Sequence, residues 1–121
     1  MTAGGWLAVA AAGGVGAIAR LLVDGTVSAG FDGGFPAGTL AVNLSGAFVL
    51  GLLTGLGAGG DALVVDGTAL IGSFTTFSTW MYETQRLAED RDGRRALLNV
   101  AVSLAAGFVV AAAGRVLGTA L

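Results

Sequence analysis

The charged residues of this 121-residue chain are gathered into a few short stretches, and the intervals between them are about as long as a lipid bilayer is thick. Residues 1–19 carry no Asp, Glu, Lys or Arg before Arg20, and residues 33–60 carry none between Asp32 and Asp61. Residues 67–82 carry none between Asp66 and Glu83, and residues 96–114 carry none between Arg95 and Arg115. A membrane-spanning helix needs about 20 predominantly apolar residues. The first, second and fourth intervals meet that length and the third comes close. The pattern predicts an all-α membrane protein, a single four-helix transmembrane domain over residues 1–121, with helices near 3–23, 37–58, 65–86 and 95–118.

Composition excludes several classes. Hydrophobic residues make up 55% and charged residues 12%, too few charges to solvate a soluble bundle of this size. Cysteine and histidine are absent, which removes disulfides, thiol chemistry and the usual zinc sites. No basic residues precede the first apolar stretch, so it does not read as a secretory signal.

The connectors carry turn chemistry. Residues 24–36 hold Asp24, Gly25, Gly30, Asp32, Gly33, Gly34 and Pro36, with the proline where a helix would begin. Residues 59–66 form a short link, and residues 86–95 read as a strongly charged, solvated turn. Within the helices, Gly51 and Gly55 form a GxxxG pair, as do Gly114 and Gly118. Small residues at this spacing let membrane helices approach closely, without identifying the partner. Four short helices leave no room for an interior pathway, so oligomerisation is expected.

Residues 72–83 read Gly-Ser-Phe-Thr-Thr-Phe-Ser-Thr-Trp-Met-Tyr-Glu. Polar groups left unsatisfied in hydrocarbon cost several kcal/mol, roughly, so such a segment must face protein or line a polar path. Phe74, Phe77 and Trp80 recur every third residue and would share one side of a helix, a spacing that also suits a packing stripe. The hydroxyls of Ser73, Thr75, Thr76, Ser78 and Thr79 can satisfy backbone groups freed by a helix break, which Gly72 would permit. Broken membrane helices place carbonyl or N–H groups at ion sites, and aromatic ring edges carry partial positive charge. Asn43, inside the second helix, reads either as an interhelical hydrogen bond or as an N–H donor to a permeating anion. Arg20 is expected to snorkel to the membrane edge or to pair with an acid such as Glu83, a structural or electrostatic role. Asn99, Ser103 and Gly107 place a polar-to-small stripe on one face of the fourth helix, either a packing seam or a hydrophilic track.

Together these residues resemble the CrcB/Fluc family of fluoride channels. The resemblance is carried by Gly13 to Arg20, Pro36 to Thr39 with Asn43 and Gly46, Gly72 to Glu83, and Asn99 to Ser103. Its most specific stretch is Thr75-Thr76-Phe77-Ser78-Thr79. The resemblance implies an antiparallel dimer in the cell membrane, with the third helix broken near its centre and two narrow fluoride pathways. Ring edges would come from Phe77 and position 80, an amide donor from Asn43, and hydroxyls from Ser103, Thr76 and Thr79. The carbonyls of Gly72 and Thr75 would hold a structural sodium ion at the dimer centre. Two positions depart from the family pattern. Trp80 stands where a second phenylalanine is usual, and Gly107 where a hydroxyl is expected. The implied role is passive export of cytoplasmic fluoride, which relieves its toxicity.

Arg86, Arg91, Arg94 and Arg95 fall in one connector, whereas the opposite side of the membrane would hold only Arg115. Loop arginines set orientation, so this bias favours both termini outside. A dual-topology homodimer should be nearly balanced, and the imbalance points to a heterodimer with an oppositely oriented homologue. Two other functions compete. A small four-helix multidrug exporter needs an acid within its first helix, and residues 1–23 contain none. A non-transporting membrane assembly subunit would use its polar residues only to join helices. No metal-ligand set or nucleophile–base pair that would suggest an enzyme lies within the apolar stretches.

Overall fold

The computed structural model describes all 121 residues, Met1–Leu121, and the chain is helical nearly throughout. Helix α1 spans Ala3–Ala29, α2 Ala37–Gly55 and α6 Gly93–Ala120. These three are long and apolar enough to cross a membrane. The third apolar segment is assembled from pieces. A single turn, α3 (Gly60–Ala62), runs into a π-helical stretch, Leu63–Ile71, and then into a second short turn, α4 (Gly72–Phe74). After Thr75, Thr76 and Phe77 the chain resumes as α5, Ser78–Glu89.

Local chemistry sets several of these boundaries. The Thr2 hydroxyl accepts from the N–H of Gly5 at 3.2 Å and caps α1. Asp92 does the same for α6, accepting from the N–H of Arg95, whose side chain also closes a 3.1 Å ion pair with Asp92. Gly57, in the link after α2, and Gly60, the first residue of α3, take positive φ, where a side chain would be strained.

The sequence places the end of the first helix at residue 23, but α1 continues to Ala29. Asp24 and Gly25 are therefore helical, and the connector narrows to Gly30–Pro36. Ser28 Oγ donates to Asp24 Oδ1 at 3.2 Å across one turn, which gives the acid a local partner. The first helix thus does contain an acidic residue, in its last two turns, and the absence of one no longer separates this chain from a small exporter. The charged turn between the last two helices also shrinks, to Asp90–Asp92, with Arg91 at a φ of 58°.

Helices α2 and α6 form the most extensive contact, and α1 packs against α2 and the third segment. The two GxxxG pairs are partners of one another. A Cβ added at Gly51 would overlap the Ala111 carbonyl oxygen, and one at Gly55 the Arg115 carbonyl oxygen. From the other side, a Cβ at Gly114 would overlap the Phe48 carbonyl and one at Gly118 the Leu52 carbonyl. Helix backbones touch only where both surfaces lack side chains. Only 12 of 121 residues are buried, so most apolar surface faces outward. Leu7, Ile18, Leu21, Phe108 and Val116 are all exposed, which suits a chain surrounded by hydrocarbon and not by water.

Candidate functional site

Between Phe74 and Ser78 the helical hydrogen-bond ladder stops, and side chains replace it. Thr75 is extended, at φ −78° and ψ 163°. The N–H of Thr76 donates to Asn43 Oδ1 at 2.8 Å, and Asn43 Nδ2 donates back to the Thr76 carbonyl at 2.8 Å. One carboxamide thus satisfies both polar groups of one peptide residue. Thr76 Oγ1 in turn accepts from the N–H of Thr79 at 3.2 Å and caps the start of α5. Upstream, Ser73 Oγ donates to the Ala69 carbonyl at 2.6 Å and Thr75 Oγ1 to the Ile71 carbonyl at 3.0 Å.

The residue that departs from helical geometry is not the one the sequence singled out. Gly72 is helical, at φ −63° and ψ −35°. Thr75 makes the departure in an extended conformation open to any residue. Redirecting the Thr76 N–H to Asn43 and the Thr79 N–H to Thr76 Oγ1 removes the helical donors of the Gly72 and Thr75 carbonyls. Neither oxygen gains another backbone partner. Two hard oxygen donors therefore lie free within four residues, a donor set that fits a hard cation such as sodium.

A cavity of about 400 Å³ opens beside this interruption. It is lined by Asn43 from α2, Thr75, Thr76 and Phe77 from the interruption, Trp80 from α5 and Ser103 from α6. Gly72 and Gly107 also border it, and a Cβ added at Gly107 would meet nothing within 4 Å. Phe77 is 70% exposed, with its ring edge-on to Trp80 at 5.7 Å between centroids and 77° between planes. The aromatic stripe is not continuous. Phe74 lies before the interruption, beside Gly46, and is not part of the cavity lining.

A second cavity of about 120 Å³ lies between α1, α2 and α5, lined among others by Arg20, Asp24, Thr39, Thr76 and Thr79. Thr76 borders both cavities, whereas Thr79 faces the smaller one. Near it, Thr39 Oγ1 donates to Glu83 Oε1, joining α2 to α5. Arg20 and Glu83 do not pair, because the one ion pair in the chain is Arg95–Asp92. Of the roles open to Arg20, pairing with Glu83 is the one not formed; Glu83 instead accepts a hydrogen bond from Thr39, which the sequence offered only as the end of the Pro36–Thr39 motif. Its distance from Glu83 along the chain hides the pairing.

This architecture defines a small helical membrane protein whose third segment is interrupted beside a cavity lined by amide, hydroxyl and aromatic groups. The family model described as "CrcB-like protein, Camphor Resistance (CrcB)" matches residues 7–115, and the chain belongs to that family. It is 51% identical over 110 residues to the fluoride-specific ion channel FluC 2 of Mycolicibacterium paratuberculosis, covering 91% of this chain and 90% of the relative. It is 50% identical over 96 residues to FluC 1 of Leifsonia xyli, covering 76% of this chain and 70% of the relative. To FluC 1 of Symbiobacterium thermophilum it is 43% identical over 120 residues, covering 93% and 96%.

Proposed function

We propose that this chain is a subunit of a fluoride-selective channel that exports cytoplasmic fluoride passively and catalyses no reaction. The supporting observation is the convergence of Asn43, Thr76, Phe77, Trp80 and Ser103 on one cavity, in a chain whose relatives are named fluoride channels. Fluoride is small and tightly hydrated, so a pore must replace its water with donors. A fixed positive charge would hold the ion too strongly for conduction. The lining offers neutral donors instead. An amide carries two N–H groups. Asn43 uses one at the Thr76 carbonyl, which leaves the other for an anion. Thr76 Oγ1 donates to Thr79 Oγ1 at 3.2 Å, which leaves the Thr79 proton available on the side of the smaller cavity that Thr76 also borders. Ser103 adds a hydroxyl, and Phe77 and Trp80 add ring edges. Arg20 and Glu83 serve as structural charges near the smaller cavity.

In this reading residues 1–121 form one four-helix transmembrane domain, and the segmented third helix crosses the membrane as the fourth span. Two chains associate antiparallel, and the outward-facing Phe77 is covered by the second chain. A sodium ion held by the Gly72 and Thr75 carbonyls of both chains ties the interruptions together at the dimer centre. The arginine bias argues that the second chain is an oppositely oriented homologue, and relatives numbered FluC 1 and FluC 2 are in keeping with such a pair. Orientation reporters at each terminus test that point, since an even split of the two orientations removes the need for a different partner.

Efflux from liposomes loaded with fluoride, with chloride as the control anion, tests the function. Fast efflux of fluoride alone is expected. Equal passage of both anions, or none with either this chain or an added oppositely oriented homologue, would overturn the proposal.

A further inference from the structure

Trp80 brings a ring N–H to the border of the cavity, and the structure ties that N–H away. Trp80 Nε1 donates to the backbone carbonyl of Asn99 at 3.1 Å. The Asn99 side chain, 1% exposed, donates through Nδ2 to Thr84 Oγ1 at 2.8 Å. Thr84 Oγ1 then donates to the Trp80 carbonyl at 2.8 Å. The three residues close a loop of hydrogen bonds between α5 and α6 that begins and ends at Trp80. An indole has one donor and no acceptor, so nothing polar remains on the ring. Trp80 borders the cavity through its carbons, and Phe77 packs edge-on against it.

We propose that this loop is a tether that keeps the indole N–H out of the anion's path. Asn99 and Thr84 are positioning residues that act through Trp80, and the inference rests on the fluoride-channel reading. A hydrogen bond to an anion is charge-assisted and about twice as strong as a neutral one. An indole N–H turned into the cavity would therefore hold fluoride and delay its exit, against the weak binding that conduction requires. The tether lets this chain carry tryptophan at the position without that penalty. Removing the Asn99 side chain leaves Thr84 bonded only within α5, so that the indole bond to the Asn99 carbonyl is the one link of the loop still joining α5 to α6, and the indole gains room to turn.

The chain has two tryptophans, Trp6 and Trp80, so a Trp6→Phe parent makes Trp80 the sole indole reporter. Fluoride efflux from liposomes and indole emission with and without fluoride are measured on this parent and on its Asn99→Ala, Thr84→Val, Thr84→Ser and Trp80→Phe derivatives. Asn99→Ala and Thr84→Val are expected to slow efflux about tenfold, equivalent to about 1.4 kcal/mol. Both should show a fluoride-dependent emission change that the parent lacks. Thr84→Ser keeps the hydroxyl and should match the parent. Adding Asn99→Ala to Trp80→Phe should leave the Trp80→Phe rate unchanged. Parent-like efflux and emission in both loosened variants would overturn the tether. So would equal slowing by Asn99→Ala with and without the indole, because that effect belongs to folding alone. If wild type and parent both lack fluoride-selective efflux, the channel reading fails first, and the tether with it.

Discussion

The seam between α2 and α6 and the interruption at Thr75–Phe77 solve the same problem in opposite ways. In the seam the helices are uninterrupted, and Gly51, Gly55, Gly114 and Gly118 let them press together backbone to backbone. The Thr54 hydroxyl adds only a local bond there, to the Gly51 carbonyl at 2.7 Å. At the interruption the ladder is open, and Asn43, Thr76 and Ser73 supply what it lost. A glycine seam yields close contact and leaves no donor to spare. A side-chain-repaired break leaves spare donors and carbonyls at a defined place, and a permeating ion can use them. The contrast explains why one chain of 121 residues can be both tightly packed and locally polar.

The sharpest way to break the comparison is to put a side chain into the seam. Gly114→Leu drives a branched side chain into the Phe48 carbonyl, and backbone cannot yield as a side chain does. A loss of about 3 kcal/mol or more is expected, at the top of the range for overpacking. Size-exclusion chromatography and thermal unfolding in detergent should show aggregation or a large fall in Tm. Asn43→Leu comes next. It strands the Thr76 N–H and carbonyl together, at about 1–3 kcal/mol for each group. Here the fold should survive with a lowered Tm, and fluoride efflux should fall below detection. Thr76→Val removes the cap on Thr79 and one lining hydroxyl, for about 1 kcal/mol of stability. Efflux should fall more than stability does, and the ratio of the two distinguishes a lining group from a mere cap. Gly107→Ser is the mildest, because a Cβ there meets open space. Stability should shift by no more than about 0.5 kcal/mol, and fluoride efflux should change by less than it does in Thr76→Val.

The helices were legible because hydrophobic length is a direct property of the sequence. The charge-free intervals located α1, α2 and α6, although α1 runs six residues further than its interval suggested. Asp24 misled there, since an acid near a helix end can stay helical when Ser28 bonds it locally. The glycine pairs announced close packing but not that they face each other, because a spacing on one helix carries no address on another. The polar segment 72–83 announced itself by composition. Asn43 lies 33 positions from Thr76, so its two bonds to that residue depend on how α2 sits against the interruption. Gly72 attracted attention because glycine permits unusual dihedrals, whereas Thr75 departs by an extended conformation that needs none. The unpaired Arg20 is of the same kind, since charge complementarity in a list of residues says nothing about distance.

The central claim is that donors gathered at the interruption conduct fluoride and not other anions. The most direct test is the reversal potential of the reconstituted protein in a planar bilayer, with a fluoride gradient imposed and chloride held equal on both sides. The account predicts a reversal potential at the fluoride equilibrium value that does not move when a chloride gradient is added. A reversal potential that follows chloride, or one that stays at zero across the fluoride gradient, would contradict it.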